Sequence, residues 1–210
     1  MYPPPPASLG DCLSNLEKFL HSKDMMPELI KIGLAHAQFE TIHPFFDGNG
    51  GAGRLLMTFL FCEREILQSP VLYISHYFRQ RKQEYYDHLQ ATRDNGDWES
   101  WLKFFLRGVC EVSKEATKTA RNIVALREKH RTEIAENFGR VAANGLTVLE
   151  QLFQNPITTV TRIMNVTGAS FTAASSLTNR LLKNGMLTEM TSQARNRQFN
   201  YGAYVDLFSS

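Results

Sequence analysis

Residues 43–54 read HPFFDGNGGAGR, and this stretch decides how the rest of the chain is interpreted. A histidine and an aspartate lie four positions apart in it, and four glycines follow between positions 48 and 53. Glycine loses more backbone freedom on folding than any other residue, so this density is costly inside a regular element. The stretch therefore predicts a place where the chain needs bare backbone.

Apolar residues recur at helical spacing on both sides of the stretch. Residues 29–42 are predicted to form a helix that leads into it, and residues 55–67 a second, strongly apolar helix that follows it. The glycines are thus expected in a loop between two helices.

Two glycine motifs are rejected on this pattern. Gly48, Gly50 and Gly53 match G-x-G-x-x-G, but the dinucleotide fingerprint needs a preceding strand, and a helix precedes the motif here. A calcium loop counted from DGNG would have no carboxylate at its first, third or twelfth position, and calcium requires hard oxygen ligands. The remaining interpretation is a phosphate-binding loop.

In that interpretation the loop supplies backbone donors and a metal ligand. Gly48, Asn49, Gly50 and Gly51 lead directly into a helix, whose first N–H groups have no intrahelical acceptor and bind anions. Asp47 at the mouth is the candidate Mg²⁺ ligand, because Mg²⁺ takes one carboxylate together with phosphate oxygens and water.

Two further side chains complete the predicted site. Arg54, one turn into the helix, is expected to reach back to a terminal phosphate. His43 is near enough to accept a proton from an attacking hydroxyl group. One loop thus provides a base, a metal ligand and an anion site.

The stretch followed by Arg54 resembles the signature of Fic domains, HPFx[D/E]GNGRxxR. The segments YPPPP, LAHAQFETIHPF and YYDHLQATRDNGDW also resemble bacterial Fic proteins of the two-domain type, so the resemblance covers nearly the whole chain. Most members transfer AMP from ATP to a hydroxyl group of a target protein, and the resemblance implies ATP and Mg²⁺ here.

The resemblance also implies a role for each site residue. His43 is the general base, Asp47 the Mg²⁺ ligand, and residues 48–50 hold the α- and β-phosphates. Arg54 is expected at the γ-phosphate.

Two aromatic residues receive roles on the same basis. Tyr85 is expected near the nucleotide base, and Phe45 is expected as a buried anchor of the loop within the nucleotide site.

Two departures from the family pattern affect the expected activity. The family has arginine at the position of Gly51, and its loss removes a charged hydrogen bond worth roughly 1.5–3 kcal/mol. We expect ATP affinity or turnover to fall by about one to two orders of magnitude. The chain also begins at the proline run, whereas family members carry helices and a β-hairpin flap before it, so a partial Fic core is expected.

The last part of the chain has a different pattern of predicted elements. It is predicted to form helix, helix, turn, helix and β-hairpin, which is the order of a winged helix-turn-helix. The hairpin strands are expected at 186–191 and 198–205. The expected segments are an extended proline-rich segment at 1–8, a Fic core at 9–112, a connecting helix at 113–140 and the winged helix-turn-helix at 141–210.

The winged module has two possible partners. Polar residues on its recognition-helix candidate are placed to meet DNA bases or phosphates: Thr172, Ser175, Ser176, Asn179 and Arg180. The basic turn between the strands carries Arg195 and Arg197. Docking of protein, or of a second copy of the chain, is the alternative.

Composition limits the remaining classes. The 210 residues carry a formal net charge of +2, and 43% of them are hydrophobic, which is ordinary for a globular protein. Three widely spaced cysteines argue against a disulfide framework. With neither a secretory leader nor a membrane-spanning run of about 18 apolar residues expected, we predict a cytoplasmic location.

The leading hypothesis is a mainly α protein adenylyltransferase, impaired by Gly51 and by the missing N-terminal region. The alternatives are a non-catalytic DNA-binding regulator with a vestigial or sensing nucleotide site, and a hydrolase that removes AMP from modified proteins at the same site.

Overall fold

A computed structural model describes residues 4–23, 25–67, 74–191 and 196–208. Helices account for 77% of it, which confirms the mainly α prediction. The chain divides into two compact units, one that ends at Ala116 and one that begins at Thr117. None of the helices within the described ranges is long and apolar enough to cross a membrane.

The first unit is helical throughout. Its elements are α1 (Leu9–Leu20), α2 (Glu28–Ile42), α3 (Asn49–Glu63), α4 (Ile74–Gln80), α5 (Lys82–Asn95) and the first part of α6 (Trp98–Asn137). Helices α2 and α3 lie on either side of residues 43–48, as the apolar spacing predicts. The prediction that the glycines lie in the loop is wrong for three of them, because α3 begins at Asn49 and includes Gly50, Gly51 and Gly53. The proline-rich segment is extended only to Pro5, because Pro6–Ser8 forms a 3-10 turn and residues 1–3 lie outside the described part.

An aromatic core holds these helices together. Trp101, Phe104 and Phe105 of α6 are fully buried with Phe61 of α3 and Phe78 of α4. The Trp101 indole N–H donates to the Gly33 carbonyl oxygen of α2 at 2.8 Å. Side chains of this size each bury 150–250 Å² and dominate the hydrophobic stabilisation.

Helix α6 is longer than the sequence pattern indicates. It runs without a break over 40 residues, so the expected boundary after residue 112 falls inside one helix. Its apolar stripe becomes thin after Val112, which is the change in composition behind the predicted boundary. The four segment limits remain predictions.

The second unit contains the end of α6 followed by smaller elements. These are α7 (Ala142–Gln154), β1 (Ile157–Thr159), α8 (Val160–Thr167), α9 (Phe171–Lys183), β2 (Thr188–Glu189), β3 (Gln198–Asn200) and α10 (Gly202–Val205). The strands form one antiparallel sheet in the order β1-β3-β2. This order of helices and strands matches the predicted pattern, with β1 added.

The predicted hairpin strands are too long at both positions. The second one ends at Asn200, where Tyr201 is fully buried and α10 follows. The alternating pattern at 201–205 reflects a buried aromatic and a short helix, not a strand. Residues 192–195 of the predicted turn, including Arg195, lie outside the described residues.

Candidate active site

The loop between α2 and α3 is bounded by two residues in the left-handed backbone conformation. His43 follows the last turn of α2 with φ 50° and ψ 58°, and its N–H donates to the Phe39 carbonyl oxygen at 3.0 Å. Gly48 precedes α3 with φ 81°. A non-glycine residue in this region costs about 1–2 kcal/mol, so the strain at His43 marks a candidate functional position.

Asn49 holds the loop closed. Its side chain is 2% exposed, its Oδ1 accepts from Phe45 N–H at 2.8 Å, and its Nδ2 donates to the Phe45 carbonyl oxygen at 2.6 Å. The oxygen and the nitrogen of the side-chain amide are therefore both engaged within the loop, and the backbone N–H is what this residue offers to an anion.

The prediction that Phe45 is buried is wrong. Phe45 is 54% exposed, and its ring lies tilted against that of Phe39 at a centroid distance of 6.4 Å. The apolar residue type suggested an anchor, but the two hydrogen bonds from Asn49 to the Phe45 backbone supply the anchoring, which leaves the ring at the surface.

The start of α3 has the geometry of an anion site. The first intrahelical bond runs from Ala52 N–H to the Gly48 carbonyl oxygen at 3.0 Å, so the N–H groups of residues 49–51 precede it. The Gly48 N–H donates to the Asp47 carboxylate at 2.7 Å. The helix therefore presents N–H groups at its positive end, with an exposed carboxylate beside them.

Arg54 lies over this first turn. Its Nη1 is 3.1 Å from the position that a Cβ on Gly50 would occupy, so the guanidinium group reaches back toward the helix start as the sequence indicates. Gly51 is exposed, and a Cβ there would meet nothing within 4 Å. The position where the family pattern has arginine is therefore open space.

His43 has a buried ring nitrogen. Its Nδ1 has no hydrogen-bond partner within the described part of the chain. Burial raises the pKa of the nearby Glu40 carboxyl, a residue that is 4% exposed, and outweighs the opposing interactions with Arg54, His43 and Arg93.

A buried polar chain supports the loop from below. His36 Nε2 is 2.9 Å from the Tyr85 hydroxyl, and Nδ1 is 3.2 Å from the Gly53 carbonyl oxygen. Burial, opposed by the hydrogen bond to Gly53 and assisted by Arg54, lowers the pKa of His36 to about 4. The neutral ring therefore donates from Nδ1 to Gly53 and accepts at Nε2 from Tyr85.

This arrangement corrects the prediction for Tyr85. The side chain is 4% exposed, stacks on Phe78 at 4.7 Å and has its hydroxyl bonded to His36, and burial raises its pKa. A nucleotide base cannot reach this ring while the core is closed. The aromatic residue belongs to the helical core stripe, and the exposed neighbour Tyr86 is on the other face.

Sequence reasoning missed His36 and Glu40. Both are polar residues of α2 that lie among its apolar residues, on the side of the helix that faces the core. Their spacing of four, and the spacing of three from Glu40 to His43, were the available signal for a polar stripe leading to the loop.

In the second unit two predicted nucleic-acid contacts are engaged elsewhere. Arg180 donates from Nη1 to the Phe138 carbonyl oxygen at 2.8 Å, and its guanidinium lies 5.4 Å from that ring. Arg197 forms a two-point pair with Glu189, both bonds at 2.6 Å. Arg180 therefore fastens α9 to the chain after α6, and contact of this residue with DNA remains a prediction.

Most of the other polar residues that were predicted on the recognition-helix candidate α9 are at the surface. Thr172, Ser176 and Asn179 are exposed, and Ser175 is half-buried. These are neutral side chains, and the phosphate contacts of DNA-binding proteins rely on lysine and arginine. DNA binding by this unit remains a prediction.

Part of the chain is similar to known proteins. Residues 1–61 match the model of the Fic/DOC family. The chain is similar to a protein adenylyltransferase Fic of Aedes aegypti (33% identity over 104 residues, 49% of this chain and 19% of that protein). It is also similar to a probable protein adenylyltransferase of Aquifex aeolicus (34% over 65 residues, 31% and 20%). The chain spans about a fifth of the length of these relatives.

The fold agrees with a solved structure. A Fic family protein from Desulfovibrio desulfuricans G20 aligns with a TM-score of 0.56 and 20% identity, covering 95% of this chain and 56% of that one. At this identity the likeness concerns the fold.

Proposed function

We propose that this chain, a Fic domain protein, transfers AMP from ATP to the hydroxyl group of a Ser, Thr or Tyr residue in a target protein, with activity reduced by Gly51. The observation that carries the proposal is the geometry at the start of α3. A strained histidine, helix-opening N–H groups and a guanidinium folded back over Gly50 surround one short loop.

In the proposed reaction the acceptor oxygen forms a bond to the α-phosphorus, and the bond from that phosphorus to the oxygen bridging to the β-phosphate breaks. The His43 imidazole takes the hydroxyl proton, which raises the nucleophilicity of the oxygen. Pyrophosphate leaves, and the N–H groups of residues 49–51 with the Arg54 guanidinium stabilise its negative charge.

Asp47 fits a Mg²⁺ ion that arrives with the nucleotide. Among the described residues no three His, Cys, Asp or Glu side chains are grouped to hold a metal ion, so a resident metal centre has no support. A nucleotide-borne Mg²⁺ needs one carboxylate and otherwise uses phosphate oxygens and water. Asp47 would hold it, and the ion would neutralise phosphate charge.

Gly51 accounts for the reduced activity in this proposal. The Arg54 guanidinium lies over the first turn of α3, whereas a Cβ at Gly51 would meet nothing within 4 Å in the described part of the chain. The expected loss is about 10- to 100-fold in activity, which corresponds to one charged hydrogen bond to a phosphate.

The test is incubation with ATP labelled at the α-phosphate, Mg²⁺, and either cell lysate or the protein itself. We compare the natural sequence, Gly51→Arg, and each of these with His43→Ala added. Label should appear on protein, increase with Gly51→Arg and vanish with His43→Ala. If Gly51→Arg leaves protein unlabelled, the proposed transfer is wrong for this chain.

A further inference from the structure

Two adjacent phenylalanines of the loop between α2 and α3 are open to solvent. Phe46 is fully exposed, and Phe45 is 54% exposed. Single apolar side chains are common on protein surfaces, but neighbouring exposed aromatic rings form an apolar patch, and such patches are typical of interaction sites. The patch lies on the loop that carries the candidate base His43.

Hydrogen bonds hold the backbone that presents these rings. The Phe45 N–H donates to Asn49 Oδ1 at 2.8 Å, and the Phe45 carbonyl oxygen accepts from Asn49 Nδ2 at 2.6 Å. The His43 N–H donates to the Phe39 carbonyl oxygen at 3.0 Å. A surface whose backbone is already ordered loses little conformational entropy when a partner binds, so the loop is preorganised for binding.

The same hydrogen bonds limit how a partner can bind. A β-strand added at residues 44 and 45 would meet a Phe45 N–H that is already engaged by Asn49, and a proline that has no N–H. Strand addition depends on main-chain hydrogen bonds to the partner. What this part of the loop offers instead is the aromatic surface of Phe45 and Phe46.

The proposed reaction selects the partner. Pyrophosphate leaves over the start of α3, so the acceptor oxygen approaches the α-phosphorus from the opposite side, where His43 takes its proton. Phe46 is three residues from His43, and three residues of chain span at most about 11 Å. A target segment that brings its hydroxyl group to His43 therefore has its neighbouring side chains within reach of the two rings.

We propose that Phe45 and Phe46 form the docking surface for the target protein, and that this surface selects segments with apolar side chains within about three residues of the acceptor hydroxyl group. The inference rests on the proposed function for the identity of the acceptor. The two rings bind the target segment and take no part in proton transfer or phosphate binding.

The first experiment needs no nucleotide. Two synthetic peptides carry a single threonine, which is flanked by leucine and phenylalanine in one and by asparagine and glutamine in the other. Binding is followed by NMR of the protein with ¹³C-labelled phenylalanine, assigned with Phe45→Leu and Phe46→Leu, and the Trp101 indole signal reports the fold. The apolar peptide should shift the signals of both rings and bind about tenfold more tightly than the polar peptide. Equal affinities of the two peptides would overturn the proposal.

A matched pair of variants assigns the binding to the loop. Phe46→Ser should weaken binding of the apolar peptide about tenfold, because it removes one ring from the contact. Phe59→Ser is the control, since Phe59 is also an exposed phenylalanine (62%) but lies about 15 Å along α3 from Asn49. It should leave the affinity within about twofold. Equal losses in both variants would mean non-specific adhesion and contradict the proposal.

The second experiment measures AMP transfer to the same peptides in the Gly51→Arg protein. Adding Phe46→Ser should raise the KM for the apolar peptide about tenfold and leave the KM for ATP within about twofold. A raised KM for ATP would assign the rings to the nucleotide base and overturn the proposal. So would an oligomer of the natural chain, detected by sedimentation, that dissociates in Phe46→Ser, because a second copy would then cover the rings.

The two experiments separate the two proposals. If neither peptide receives label, the proposed transfer fails for these acceptors, while the nucleotide-free binding comparison still decides whether Phe45 and Phe46 select an apolar segment.

Discussion

Helix α3 begins in a different way from helices α8 and α9 of the second unit. Helices α8 and α9 are capped by side chains, Thr159 accepting from Arg162 N–H at 3.2 Å and Ser170 from Ala173 N–H at 3.3 Å. Helix α3 begins after Gly48, which has no side chain to cap it. A side-chain cap satisfies one of the N–H groups that a helix start leaves open.

Under the proposed function, this difference distinguishes a helix start that a side chain closes from one that is left open for a nucleotide. At α8 and α9 the protein gains stability by closing the N-terminus. At α3 the cap is absent, the residues are glycines, and an arginine is folded over the first turn. The same contrast applies to the arginines, since Arg180 fastens its own unit while Arg54 faces open loop backbone.

The largest expected effect concerns the buried histidine of each unit. His36 has a pKa of about 4 against 6.5 for an ordinary histidine. Above pH 6.5 both the folded and the unfolded chain keep it neutral. As the pH falls toward 4 the unfolded chain takes up the proton first, so the first unit should lose about 3 kcal/mol of stability.

Burial lowers the pKa of His130 as well, but Glu133, 4.0 Å from its Nε2, raises it again. The second unit should therefore be less sensitive to acid. Hydrogen exchange of peptides from α2 and α9 at pH 7 and pH 4.5 measures the difference. The raised pKa of Glu40 changes the stability in the opposite sense as the pH falls, so a stability measurement combines both effects. The direct check is the NMR signal of the His36 ring, which should show a neutral imidazole down to about pH 4. Titration near 6.5 would contradict this.

The next prediction compares the two arginines. Arg54→Ala should reduce AMP transfer, measured in the Gly51→Arg background, by about 10- to 100-fold while the melting temperature changes little. Arg180→Ala should leave transfer intact and destabilise the second unit by about 1–3 kcal/mol, because it removes a charged hydrogen bond and a cation–π contact.

Calorimetric unfolding and the labelling assay on the same preparations decide the comparison. If Arg54→Ala lowers stability as much as Arg180→Ala does, the distinction between a ligand-facing and a structural arginine is lost.

The smallest effect concerns the caps themselves. Ser170→Ala should cost about 1 kcal/mol in the second unit, since it leaves the Ala173 N–H without its acceptor. Ser170→Asp is the matched variant and should keep the stability, because a carboxylate caps equally well. Chemical denaturation followed by α9 hydrogen exchange measures both. Equal stabilities of all three proteins would show that this cap does not matter.

Some elements could be predicted because their determinants are local. The apolar spacing indicated α2 and α3, and Arg54 lies over the first turn as one helical turn of separation requires. The glycines indicated a break between the two helices, although only Gly48 lies in the loop and the other three begin α3. The order of helices and strands in the second unit could be predicted from turn residues such as Gly168 and Gly185, both at positive φ. These features depend on backbone preferences over a few residues.

Other features depended on contacts between distant segments. Phe45 was expected inside and Tyr85 beside a ligand, yet Asn49 anchors the loop and His36 fixes the tyrosine in the core. Residue type alone does not distinguish a core aromatic from a ligand-binding one. Helix α6 likewise continues past its expected end because no helix-breaking residue interrupts it.

By itself, the sequence determined the chemistry available at the loop: one histidine, one carboxylate, a glycine-rich helix start and one arginine. The tertiary structure alone decided which polar groups serve that loop from beneath it. His36, Glu40 and Arg93 come together only when α2, α3 and α5 pack, because hydrogen bonds and charges act over a few ångströms in space whatever the separation along the chain.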